Sequence, residues 1–366
     1  MTPDEIDCVV IGGGQAGLSA GHFLQRFGLD GRFVILDHAP APGGAWQFRW
    51  PTLTLAGANH VHDLPGWGLT EALGTECDAW PAASAVADYF RRYEERFDLP
   101  VRRPVHVRSV RRADAETFEV AAVSADGPCV LRTRTVVNAT GTWDRPFIPH
   151  VPGIDTFAGR QLHTHDYQDP HDFDGERVLI VGAGISAVQL LIEIARTAED
   201  VTTFWCSRRE PEFSDAPFTP EGGREAVSRV ERRVRAGLPP TSVVSVTGLF
   251  RTPAIAAAQT DGILEWMPMM DSVTESGVSW TDPDRPDLAV DTIFWNTGFR
   301  SALDHLAPLR LRAPGGGITM TGRLATVVAD EPRIQLLGYG PSASTIGANR
   351  AGREAARVVV DLLSNS

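Results

Sequence analysis

Lysine is absent from the 366 residues, and all 34 basic side chains are arginine. That absence excludes a Schiff-base lysine, a P-loop lysine and a lysine general base. Any cationic role falls to arginine or histidine, and arginine keeps its proton near neutral pH. Cysteine is scarce: Cys8, Cys77, Cys129 and Cys206 stand far apart, with no C-x-x-C pair. A dithiol redox centre and a zinc ribbon are therefore not expected. Cys8 and Cys206 lie in apolar runs and read as buried thiols, and a cytoplasmic location is the default expectation. No apolar run is long enough to span a membrane. The N-terminal Met1-Thr2-Pro3-Asp4-Glu5 lacks the positive region of a signal peptide. No G-x-S-x-G elbow occurs, so no hydrolase triad is expected. The histidines and aspartates near His163, His165 and His171 lack ligand spacing, so no metal is expected. A net charge of −12 argues against a nucleic-acid partner.

What is present is ordinary globular composition, with 43% hydrophobic and 22% charged residues, and enough chain for two or three domains. Ile6 to Ile11 is a short apolar strand. It runs into Gly12-Gly13-Gly14-Gln15-Ala16-Gly17, a helical stretch from Leu18 to Phe27, and a second strand at Arg32 to Leu36 that ends on Asp37. Strand, glycine turn, helix and strand make a βαβ unit of the dinucleotide-binding kind. Gly12 permits the tight turn, Gly14 admits a pyrophosphate to the backbone, and Gly17 lets helix and sheet pack closely. Asp37 stands where a carboxylate holds ribose hydroxyls.

A second unit starts at Arg177 to Val181 and turns at Gly182-Ala183-Gly184-Ile185-Ser186-Ala187. Its second strand, Val201 to Trp205, continues into Cys206-Ser207-Arg208-Arg209. A site for NADH would carry an acidic residue there. A hydroxyl and two guanidinium groups instead favour the 2′-phosphate of NADPH, with NADH the weaker alternative. Which of the three faces the phosphate stays open. Two dinucleotide folds imply two dinucleotides, and FAD is the usual hydride acceptor for NADPH in such a pair.

Between and around these units, Ser84 to Phe97 reads as a helix capped at Ser84. Val101–Arg112 and Thr117–Val123 alternate like antiparallel strands. Val130 to Val137 reads as a strand ending in Asn138-Ala139-Thr140-Gly141, and the Asp291–Trp295 strand enters a similar turn at Asn296-Thr297-Gly298. The stretch Glu210 to Pro268 reads as helix and loop. A helix from about Ser344 to Leu363 ends the chain. The expected fold is α/β, with two Rossmann-like domains, the second inserted in the first. FAD binding would occupy 1–150 and 295–366, and NADPH binding 151–294.

Together these motifs resemble the flavin-containing monooxygenases and their compact bacterial relatives. The resemblance runs from Ile6 to about Leu363. It rests on both glycine fingerprints, on Gly43-Gly44-x-Trp46, on the two Thr-Gly turns, and on Phe157-x-Gly159-x-x-x-His163-x-x-x-Tyr167. It implies that Gly44 and Trp46 lie beside the flavin and that Thr140, Gly141 and Gly298 belong to the cofactor turns. It also implies that Thr345 and Ile346 start a helix facing the flavin, where N–H groups and the helix dipole favour negative charge. His163 takes a structural and dynamic role, or else is a core histidine satisfied by backbone. Asn59 either replaces the asparagine that many relatives place near the flavin or is an ordinary loop residue. The implied activity is NADPH reduction of FAD, formation of a C4a-peroxyflavin with O₂, and oxygenation of a small-molecule amine or sulfide. The alternatives are an NADPH–FAD reductase, a Baeyer–Villiger ketone oxygenase, disfavoured by Tyr167-Gln168 where those enzymes continue with Trp-Pro, and a slow redox sensor. A homodimer is what related enzymes suggest. Met267, Met269 and Met270, with Trp67 and Trp80, are candidates for lining the site or for core.

Overall fold

The run Cys8-Val9-Val10-Ile11 has no polar side chain to offer water. In the computed structural model it is buried on both faces at the centre of a mainly parallel sheet. The structure describes residues 4–58, 61–215, 220–241 and 248–365. The chain forms two compact units, one of Met1–Asp144, Val227–Ser242 and Ser301–Ser366, the other of Arg145–Ala226 and Val243–Arg300.

In the first unit the strand Asp4–Ile11 lies between Phe33–Leu36 and Gly127–Asn138, parallel to both. Val101–Arg102 and Glu331–Leu336 extend the parallel array on either side. The hairpin of Val105–Arg112 and Phe118–Ser124 joins antiparallel to the early half of Gly127–Asn138. The expected single strand over 101–112 is in fact two, broken at Arg103-Pro104, because proline has no N–H to give a ladder. The first helix begins at Gln15, three residues ahead of the Leu18 start expected from apolar spacing. Its regular turns end at Leu24, before a wider turn over Gln25–Leu29 that closes on Gly28 at φ +94°. The helix expected to be capped at Ser84 spans Ala82–Arg96 and is entered through Pro81. The Ser84 hydroxyl instead donates back to the Pro81 carbonyl.

The second unit is built on five parallel strands in the order Trp266–Pro268, Thr202–Ser207, Arg177–Val181, Thr292–Trp295, Arg160–His163. A small antiparallel sheet of Ser272–Thr274, Gly277–Ser279 and Leu288–Ala289 follows. Its core joins Leu179, Val181, Cys206, Ile293 and Trp295 to Met270, with Met267 and Met269 packed at the edge. The methionines therefore serve packing. Trp67 packs on Tyr89 and under Arg96, while Trp80 is exposed.

The stretch expected to be helix and loop contains the helix Pro220–Arg235, all of which falls within the expected NADPH domain, 151–294. Residues from Val227 on cluster with the first unit, because Val234 is wholly buried there with Leu306, Ile318, Met320 and Tyr339. Cys8 and Cys206 are buried thiols, and burial pushes both up to about 12. Among the described residues no helix is long and apolar enough to cross a membrane.

Candidate functional site

The glycine turn of the first unit is a cradle that a single methyl group would fill. Gly12 sits at φ +103°, and a Cβ on Gly17 would stand 1.8 Å from the Gly12 carbonyl oxygen. Gly14 precedes the Gln15–Leu24 helix without capping it through a side chain, and the first turn holds no acid. The helix N-terminus thus presents unpaired N–H groups and the positive end of its dipole, which suits a pyrophosphate. Ala16 is buried beneath this turn. Gln15 donates from Nε2 to the His62 carbonyl at 3.1 Å and to Asn349 Oδ1 at 2.9 Å, yet its buried Oε1 has no partner. An orphaned acceptor beside an anion cradle is what a nucleotide hydroxyl would satisfy.

Asp37 is buried at the end of the second strand. A Cβ on Gly13 would lie 2.8 Å from its Oδ2, so the carboxylate stands beside the turn. Its orientation comes from Arg103, which donates Nε to Asp37 Oδ2 at 2.8 Å and grips Glu94 with both terminal nitrogens at 2.9 and 3.0 Å. Burial pushes the Glu94 carboxyl up, against the pull of Arg103. No motif marks Arg103 or Glu94: the link spans 66 residues and exists only once the strands pair.

Asn138, Thr140 and His305 form a directed chain at the next turn. His305 Nε2 lies 2.6 Å from Asn138 Oδ1, Asn138 Nδ2 donates to Thr140 Oγ at 3.1 Å, and Thr140 Oγ donates to the Ala302 carbonyl at 2.7 Å. Burial pushes His305 down to about 4, so the ring is neutral and donates through Nε2. Gly141 follows at φ +64°. Gly44 packs on the first glycine turn, since a Cβ there would come within 2.7 Å of Gly14 Cα. Trp46 lies in the short 3₁₀ turn Gly44–Phe48. The last helix starts at Thr345 under a Ser344 cap that accepts from Gly347 N–H. The side chains of Thr345 and Ile346, and all of Asn59, lie outside the described residues.

The second unit repeats the cradle. Gly182 sits at φ +149°, and a Cβ on it would meet the Asn296 carbonyl oxygen at 2.3 Å. Trp205 Nε1 donates to the Gly182 carbonyl at 2.7 Å and fixes the turn. Gly184 leads into the helix Ile185–Thr197 with no side-chain cap and no acid in the first turn, and a Cβ built on it would meet nothing within 4 Å. Ile185 and Ser186 are half-buried in that first turn, and Ala187 is wholly buried where the helix meets the sheet. At the end of the second strand Ser207 is buried. Its hydroxyl donates to the Arg209 carbonyl at 2.6 Å and accepts from Trp266 Nε1 at 2.9 Å. Arg208 and Arg209 are exposed.

His163 is buried, and its ring is held on both sides by backbone. Nδ1 accepts from His165 N–H at 3.0 Å, which leaves the proton on Nε2 to donate to the Gly298 carbonyl at 3.0 Å. Burial lowers its pKa, so it stays neutral. Gly298, at φ +79°, also accepts from Phe147 N–H. His163 therefore anchors the Asn296-Thr297-Gly298 turn and has no free nitrogen for proton transfer.

Residues 9–217 match the family model described as pyridine nucleotide-disulphide oxidoreductase. A flavin-containing monooxygenase from Stenotrophomonas maltophilia is 35% identical, with TM-score 0.79, over 98% of this chain and 99% of that one. An uncharacterized oxidoreductase, CzcO-like, from Geobacillus kaustophilus is 32% identical over 53% of this chain and 53% of its own length. A Baeyer–Villiger monooxygenase from Streptomyces coelicolor is 30% identical over 65% of this chain and 44% of its own. The match spans about half the length of these curated relatives.

Proposed function

The chain belongs to the pyridine nucleotide-disulphide oxidoreductase family, among its flavin-containing monooxygenases, and from that premise we propose that it uses NADPH, FAD and O₂ to oxygenate a soft nucleophile, the nitrogen of an amine or the sulfur of a sulfide, in a small molecule. The observation that carries the reading is the pair of uncapped helix N-termini behind glycine turns, one in each unit. End-to-end similarity to a flavin-containing monooxygenase supports oxygenation over simple reduction. So does the lack of any C-x-x-C pair to carry electrons to a disulfide.

FAD would lie on Gly12, Gly14 and Gly17, with Asp37 on its ribose, Gln15 Oε1 accepting from a hydroxyl, and Gly44, Trp46, Thr140, Gly141 and the Thr345–Ile346 helix start around it. When bound, it supplies hydride acceptance and oxygen activation. NADPH would lie on Gly182, Gly184 and the Ile185-Ser186-Ala187 turn. Its 2′-phosphate falls to Arg208 and Arg209, because the Ser207 hydroxyl is already engaged on both sides. His163 positions the Gly298 turn. The chain's own work is binding, orientation and exclusion of water.

The test is incubation with NADPH and ¹⁸O₂ and a mixture of a tertiary amine, a thioether and a cyclic ketone, read by mass spectrometry. One ¹⁸O in the N-oxide or sulfoxide supports the reading. Label in a lactone would move it to ketone oxygenation, which the Streptomyces coelicolor relative favours. NADPH consumption with all oxygen recovered as peroxide would leave a reductase.

A further inference from the structure

Arg49 carries a charge that no carboxylate among the described residues answers. It follows the 3₁₀ turn Gly44–Phe48 and is half-buried. Its guanidinium carbon lies 4.7 Å from the Trp143 ring centroid and 5.8 Å from that of Trp46. Phe48 stacks nearly parallel to Trp143, so the wall is aromatic and neutral. Among the described residues no carboxylate pairs with Arg49 and no acceptor takes its five N–H donors. Burial alone acts on it and draws it down to about 10. Arg103 and Arg333 in the same unit stand in contrast, each held by buried carboxylates. A cation taken from water without a partner is unfavourable, and such a site persists where a ligand completes it.

Its place says where that ligand lies. The turn before Arg49 packs on the pyrophosphate cradle through Gly44 and Gly14. Trp143 follows Gly141, which packs in turn on Gly338, at 3.6 Å from a Cβ built there. The guanidinium thus stacks on Trp46, in the turn that packs on Gly14, and on Trp143, just after Gly141, and both Gly14 and Gly141 follow the carboxyl ends of parallel strands, where ligands of such sheets bind. A phosphate has the free helix N-terminus for its partner. A guanidinium whose face is stacked keeps its edge, a rigid fork of N–H donors, for an anionic acceptor.

We propose that Arg49 is the counter-charge for the reduced flavin ring of the first site, which carries a negative charge that the oxidised ring lacks. The inference rests on the FAD reading above. An opposite charge at close range favours the charged form, so Arg49 holds the flavin in its reduced state and keeps the reduced ring unprotonated. The aromatic box fixes the guanidinium in advance, so no reorganisation accompanies reduction.

The experiment is a dye-equilibrated reductive titration of the full FAD-loaded chain, wild type beside Arg49→Gln and Arg49→Lys, across a pH series. Arg49→Gln is expected to lower the reduced-to-oxidised ratio at fixed potential at least tenfold, about 30 mV for two electrons. The pH at which the reduced ring takes up a proton is expected to rise. Arg49→Lys should stay within about threefold of wild type, since it keeps the charge. A glutamine variant that binds FAD stoichiometrically with unchanged potential and proton uptake would overturn the inference and leave the FAD reading standing. So would a lysine variant with normal FAD content whose potential falls well outside that range. A wild-type chain that takes up no flavin would overturn both.

Discussion

Arg103 bridges two buried carboxylates, donating to Asp37 at 2.8 Å on one side and to Glu94 at 2.9 and 3.0 Å on the other. Asp37 is the residue proposed to hold the flavin nucleotide's ribose, so its aim is set by a residue 66 positions along the chain whose guanidinium stands beside Gly13 of the glycine turn. Arg103→Met leaves two carboxylates in a low-dielectric site without their cation. Stability should fall by roughly 3 kcal/mol, the lower end for breaking a buried pair, and FAD should dissociate more readily. Urea unfolding of the apo chain and FAD release by fluorescence check both. Glu94→Gln keeps an acceptor for Arg103 and should cost less than half as much.

The cofactor preference should sit in Arg208 and Arg209. Replacing both with alanine is expected to raise KM for NADPH by about ten- to a hundredfold, the loss of one or two charge-assisted hydrogen bonds, and to leave KM for NADH nearly unchanged. Ser207→Ala should change the preference little, because that hydroxyl is spent on Arg209 and Trp266. A large NADPH effect from Ser207→Ala with none from the arginines would contradict the assignment.

Gly182→Ala should abolish NADPH binding while FAD stays bound. The added methyl group would come within 2.3 Å of the Asn296 carbonyl at a φ of +149°, which strains the turn and pushes it from the helix end. Retained flavin absorbance with loss of NADPH-driven reduction is the expected pair of readings. Normal reduction kinetics would count against the site.

His305 makes the first unit acid-sensitive. Folded it titrates near 4, against 6.5 for an unperturbed ring. Between those values the unfolded chain binds more protons, so stability falls as pH drops from about 6.5 towards 4 and is untouched above that window. The effect is about 2 kcal/mol, allowing for partial exposure. His22, His106 and His163, also lowered first by burial, act in the same direction. Melting at pH 7.5 and pH 5.0 should show a smaller loss for His305→Gln than for wild type.

Both nucleotide units could be read from sequence because their signals are local. Strand, glycine turn and helix follow one another directly along the chain, so Gly12 and Gly182 mark both turns without help from distant residues. Ser207, Arg208 and Arg209 were visible as a group, but only the fold shows that the hydroxyl is buried and engaged. Arg103, Glu94, His305 and Asn349 were not legible, since their roles depend on partners far along the chain. The break at Pro104 was readable from proline's missing N–H, yet alternation outweighed it. Val234 was missed for a different reason: a helix does not declare in sequence which core it will enter.

The central claim, oxygenation by a flavin reduced with NADPH, is tested most directly by stopped-flow absorbance. The FAD-loaded chain is reduced anaerobically with NADPH and then mixed with oxygenated buffer. The expected result is a transient whose spectrum differs from both reduced and oxidised flavin, and whose decay speeds up when a thioether or tertiary amine is added. Direct return to oxidised flavin with stoichiometric peroxide, at a rate indifferent to either compound, would contradict it.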